Sequence, residues 1–226
     1  MEQMSGRQAL VFGGAVVVSF ATLVAQDVVK VDPTHYKVIT ENAAVRILRV
    51  TYEPGGKSPA HSHPDSVAVL LSGGKMQFTA PDGKKTEQDS ARDSALYLPA
   101  GSHSNLNLSK AAIDAIVVEF KTPKPGTVVL PTSRPNMTLT TLADGPRALV
   151  YKVVDDGKFA EPAGTKHDYD QIVIALEPAQ MALSLEGKPA KTSWARGDVQ
   201  WIARGTPHES KNAGGKPVSF VIVAIR

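Results

Sequence analysis

The sequence predicts an all-β protein built as two tandem units of one design, and three observations carry that expectation. Short runs rich in Val, Ile, Leu and Tyr alternate with Gly, Pro, Asn and Asp turns, the pattern of strands joined by tight connections. No stretch of the first unit, 36–120, carries apolar residues at helical period. The second half also repeats the first. At an offset of 104 residues Gly83-Lys84 falls on Gly187-Lys188, His63 on His167, Pro99 on Ala203 and Gly101 on Gly205. One inserted residue later, at 105, His103 falls on His208 and Asn107 on Asn212.

Taken in order, the chain opens on Arg7 and the apolar run Leu10 to Val18, followed by small residues around Ala21 and Ala25. This reads as a signal peptide over 1–25 and an export to the periplasm or beyond. An uncleaved membrane anchor is the alternative, but Leu10 to Ala25 is shorter than the roughly 20 residues that span a bilayer; no other stretch is long and apolar enough to cross, so no stable membrane insertion is expected once the leader is removed. A polar, proline-containing arm, 26–35, leads to the first unit, expected over 36–121. Its strands are read at Tyr36 to Ile39, Val45 to Tyr52, Val67 to Leu71, Lys75 to Thr79, Ala95 to Leu98 and Ile113 to Phe120. Pro81-Asp82-Gly83 is a hairpin turn leading into a polar segment, Lys84 to Asp93. A proline-rich stretch marks a linker or exchanged arm over 122–140, and the second unit is expected over 141–226.

Composition limits the function. The chain has 226 residues and no cysteine, so disulfides and thiolate metal sites are excluded and only His and carboxylates remain as protein ligands. Its net charge is +3, with Lys and Arg scattered, which argues against a nucleic-acid partner.

Histidine carries the chemistry. His61 and His63 stand two apart at the start of a strand-like run, and alternate strand residues share a face, so both imidazoles can aim at one point. Leu96 to His103 brings a third, His103, after a strand and the Pro99-Ala100-Gly101 turn. Three imidazoles can hold one divalent metal ion, of Fe, Mn, Zn, Ni or Cu, with positions left open. Five of the six histidines fall at repeated positions; only His35 stands apart. His167 and His208 read as hydrogen-bonded residues of a second ligand cavity, with Gln171 to orient what binds there. Asp65 is the candidate acid or base nearest the first site, and Trp194 is a candidate for the second mouth.

These residues resemble the cupin superfamily. Gly55, His61, His63, Val67 and Gly74 occupy the places of its first motif, with Val67 standing for the glutamate. Gly197, Ala203, Gly205, His208 and Asn212 occupy its second motif, and Asp93, Pro99, Gly101, His103 and Asn107 occupy the corresponding places in the first half. The resemblance implies a bicupin, two tandem jelly-roll barrels with a metal near the mouth of the first. Its three-histidine site, lacking a carboxylate, is similar to that of cupin thiol dioxygenases and diketone-cleaving enzymes. In the second half Thr165 and Gln171 replace a histidine and the glutamate, leaving a degenerate site. The expectation is therefore an exported metal-binding bicupin, monomer or homodimer, acting as a dioxygenase-type oxidoreductase on a small polar or anionic substrate. A non-catalytic ligand- or metal-binding protein and a metal-assisted isomerase are the alternatives.

Overall fold

A computed structural model describes residues 26–121 and 127–226; the expected leader and part of the expected linker lie outside them. The first half opens on a single helical turn, α1 (Val28–Val31), capped by Asp27, whose carboxylate accepts from Val29 N at 3.0 Å. Nine strands follow: β1 (Tyr36–Glu41), β2 (Val45–Tyr52), β3 (His61–His63), β4 (Ser66–Leu70), β5 (Gly74–Thr79), β6 (Lys85–Ser90), β7 (Ala95–Leu98), β8 (Gly101–Asn107) and β9 (Ile113–Phe120). They form two antiparallel sheets, β1-β2-β9-β4-β7 and β3-β8-β5-β6. The second half has β10 (Met137–Gly145), β11 (Ala148–Asp155), β12 (Asp170–Ala175), β13 (Ala179–Leu185), β14 (Lys188–Trp194), β15 (Val199–Ile202), β16 (His208–Asn212) and β17 (Val218–Ile225). Its sheets are β10-β11-β17-β12-β15 and β14-β13-β16. Each half is thus a jelly roll of two facing sheets, without the continuous hydrogen-bonded closure of a barrel. Among the described residues no helix is long and apolar enough to cross a membrane.

One segment departs from expectation. Lys85 to Ser90 is read from sequence as a polar connection, yet it is a strand that pairs with β5 from Gly74↔Ser90 to Thr79↔Lys85. Its side chains are mostly exposed, so the backbone ladder and the Ala80–Gly83 turn hold it rather than burial.

The two five-stranded sheets pack against each other. Val67, Val69, Ile116 and Val118 of the first half and Ile172, Ile174, Val221 and Val223 of the second share one hydrophobic core. Strand β4 is buried at every residue, because its other face, Ser66, Ala68 and Leu70, lines a cavity inside the first half. A strand covered on both faces reads as a continuous apolar run, and Val67 to Leu71 is such a run. At the seam the Arg196 guanidinium bonds to Leu71 O and Asp93, and Gly145 lies against the ring of Tyr97, where a Cβ would come within 2.2 Å of Cδ2. Inside each half, an asparagine ties turns together. Asn107 Nδ2 donates to the carbonyls of Tyr52, Glu53 and Ala111, and Asn212 Nδ2 to those of Asp156 and Lys216. Both asparagines are structural.

Candidate metal centres

The first cavity is organised by β3 and β8. These strands pair antiparallel with His61 opposite His103 and His63 opposite Gly101, so the pleat puts all three imidazoles on one face. The His103 ring centroid lies 4.9 Å from that of His61 and 4.9 Å from that of His63. His61 Nδ1 is 2.9 Å from Pro59 O and His63 Nδ1 is 2.8 Å from Pro64 O. A carbonyl can only accept, so Nδ1 carries a proton in both rings and Nε2 is the nitrogen left to bind a metal, the arrangement that orients a metal-ligating imidazole. Burial, offset in part by the bond to Pro59, holds the His61 pKa below its usual value. Burial and the two neighbouring histidines push that of His103 down to about 3. Near neutral pH both rings are uncharged and fit to bind a cation.

The surrounding wall is mostly apolar, with Val28 of α1, Met76, Phe78 and Leu98, around a cavity of about 90 Å³. Two polar groups on it went unseen in the sequence. Glu119 is 2 % exposed and is held by Arg46 Nε at 2.6 Å. Asn105 donates to the hydroxyls of Tyr36 and Tyr52 at 2.9 and 3.3 Å, while its buried Oδ1 has no partner. Asp65 does not line the cavity; its carboxylate accepts from Ala100 N at 2.8 Å and so shapes the turn before β8.

The second cavity, about 110 Å³, is lined by His167, Gln171 and His208, with Trp194 in its wall. Trp194 is buried and donates Nε1–H to Met181 O at 2.9 Å. The His167 ring stacks on Tyr169 and lies 5.1 Å from that of His208. Burial, reinforced by His208, lowers the His167 pKa. The expectation of two imidazoles and an amide omits Glu161, whose Oε2 is 3.5 Å from His208 Nε2. Glu161, His167 and His208 each place a ligand atom within 4.8 Å of the other two, close enough for all three to share one metal ion. Asp155 lines the same cavity; it is 4 % exposed, its Oδ1 has no partner, and burial together with the charges of Glu161 and Asp156 pushes its pKa up to about 7.

Two one-residue slips hid this arrangement. The backbone N–H of Glu161 donates to Ser210 O as that of Ser58 donates to Asn105 O, so Glu161 takes the place of Ser58. The constant offset of 104 equates it instead with the exposed Lys57. Likewise Val67 pairs with Val118 and Ile172 with Val223, all in the core between the halves, while Ser66 and Gln171 face the cavities. Val67 therefore does not stand where a cavity glutamate would; Ser66 does.

No protein-family profile matches the chain, and no curated protein does. Solved structures do match. AerE from Microcystis aeruginosa aligns with a TM-score of 0.62 at 13 % identity, over 84 % of this chain and 97 % of that one. Salicylate 1,2-dioxygenase from Pseudoaminobacter salicylatoxidans, in its adducts with gentisate, aligns with a TM-score of 0.61 at 12 % identity, over 82 % and 70 %. A cupin 2 conserved barrel domain protein from Leptotrichia buccalis aligns with a TM-score of 0.56 at 10 % identity, over 84 % and 88 %. The fold is that of the cupins. Since each half holds its own pair of facing sheets, the chain carries the cupin fold twice in tandem, and its two cavities are the interiors of the two units. The fold accounts for where the histidines meet, while the identity of the other donors is particular to this chain.

Proposed function

We propose that this bicupin is an exported metal-dependent oxidoreductase of the dioxygenase type, working on a small anionic or enolic substrate in its N-terminal cavity. The observation that carries the reading is a set of three imidazoles, His61, His63 and His103, on one face of two paired strands with no carboxylate among them. Neutral donors leave a divalent ion its full charge, which favours an anionic substrate beside it. The backbone-fixed tautomers of His61 and His63 and the orphaned Asn105 Oδ1 support a fit between these residues and such an ion with its ligand. When bound, the ion supplies Lewis acidity and, as iron, redox chemistry toward dioxygen.

The chain's own residues do the rest. His61 and His63 stay oriented because Pro59 O and Pro64 O hold their Nδ1 protons. Asn105 Oδ1 accepts a hydrogen bond from a substrate hydroxyl, and Met76, Phe78 and Leu98 exclude water around it. Export rests on the leader read over 1–25.

A non-catalytic binding protein is the second reading, favoured by one observation. The carboxylates nearest this cavity are engaged, Asp65 by Ala100 N and Glu119 by Arg46, which leaves no free acid–base pair among the described residues there. The same observation weighs against an isomerase that moves protons by side chains. The readings separate in an oxygen electrode. Protein loaded with Fe(II) is expected to consume oxygen with gentisate or another small hydroxy acid, and His103→Ala to lose this. Binding of such acids without oxygen uptake would favour the binding protein.

A further inference from the structure

We infer that the C-terminal cupin unit holds a second divalent-cation site, made by Glu161, His167 and His208, in which a carboxylate from outside the motif replaces the missing histidine. The strand pairing sets the equivalences: Thr165 bridges His208 as His61 pairs with His103, so Thr165 stands where the first histidine would be. A hydroxyl cannot replace that imidazole. Glu161 does so instead. In the first half the place of Glu161 is taken by Ser58, three residues before His61, whereas Glu161 lies four residues before Thr165. The extra residue falls in Pro162-Ala163-Gly164, where Gly164 has φ of +75° and takes up the turn.

The contact between Glu161 and His208 suits a cation. His208 Nδ1 is 2.9 Å from Thr206 O, which can only accept, so Nδ1 carries a proton and Nε2 is the nitrogen turned toward Glu161 Oε2 at 3.5 Å. A metal ion placed between these two atoms would bond to both. His167 brings the third donor atom within 4.8 Å of both. Two imidazoles and one carboxylate with room beside them form a set suited to iron, manganese or zinc.

The remaining polar groups fit a site that takes both a cation and a ligand. The carboxylate is oriented by Ser210 Oγ at 3.2 Å and bonded through Oε1 by Arg134, a residue of the segment joining the halves. Asp155, nine-tenths buried in the wall of the same cavity with Oδ1 unpartnered, offers a hydrogen bond to whatever occupies it. Arg134 balances the Glu161 charge when no metal is present and so competes with the metal for it.

The site is separate from the N-terminal one, so the test removes that one first. Metal-stripped protein carrying His61→Ala and His63→Ala is titrated with Zn²⁺ by calorimetry and with Co²⁺ by absorption. About one equivalent is expected to bind, with cobalt bands of a mixed nitrogen–oxygen set. Glu161→Gln should weaken binding at least about tenfold. Arg134→Gln should tighten it by roughly threefold, because the competing cation is gone, and a damaged fold would not produce a gain. If the double-histidine background does not fold, the otherwise unsubstituted chain is used, and Glu161→Gln should lower its stoichiometry by one. Absence of this equivalent in folded protein, or an affinity left unchanged by Glu161→Gln, would overturn the inference.

Discussion

At the scale of single residues, what could be read in advance was what the pleat enforces. His61 and His63 share a face because they are two apart on a strand, and this needs no tertiary information. Glu161 was hidden because a loop of one extra residue broke the register between the repeats, and loop length does not announce itself in a sequence compared at fixed offset. Asp155 was hidden because its burial comes from the fold around it. That burial makes it measurable. Its folded pKa is about 7, against about 4 for a free Asp, so between these values the folded chain holds a proton that the unfolded chain has lost. Its contribution therefore makes stability fall as pH rises from about 4 to about 7, by up to about 1.4 kcal/mol per pH unit. His103 acts the other way: its pKa of about 3 when folded means that the unfolded chain binds the extra proton, so this contribution is lost as pH falls below about 6.5. Comparing metal-free protein with its Asp155→Asn variant isolates the first effect. The variant should gain thermal stability relative to the parent as pH rises from 5 to 8, and an unchanged difference between them across that range would count against it.

At the scale of elements, composition identified most strands of the first half and missed β6, which burial does not support. Strands β2, β4, β5, β7 and β9 were legible from their β-branched and aromatic residues. Strand β6 was not, because Lys85 to Ser90 has the composition of a loop and is held by pairing with β5 alone. The seam between the halves shows a second limit. Gly145 and Tyr97 lie in different halves, so the need for glycine at 145 arises only once the two are packed together. Gly145→Ala should cost about 1–3 kcal/mol through overpacking against the ring, measured by denaturant unfolding. The paired change with Tyr97→Ala should recover part of the loss, and an additive result would place the strain elsewhere.

At the scale of the whole molecule, the duplication was legible but its consequence was not. The runs Val67 to Leu71 and Ile172 to Leu176 are apolar on both faces because each covers a cavity on one side and the other half on its second side. Either half alone would expose a broad apolar sheet face. A chain of residues 26–121 expressed by itself should therefore elute as a dimer or larger assembly in size-exclusion chromatography, and a stable monomer would show that the shared core matters less than its burial implies. The segment between the halves is also more than a tether. Val128 is buried against the second half, with its carbonyl bonded by Arg226 at 3.2 Å, and Arg134 reaches the second cavity.

The central claim is a metal centre of three histidines in the N-terminal cupin unit, and elemental analysis by mass spectrometry tests it most directly. Protein purified without an affinity tag should carry a divalent transition metal, and His61→Ala/His63→Ala should lose about one ion per chain while keeping its fold. Equal metal content in the two folded proteins, or none in either after incubation with each candidate ion, would contradict the account.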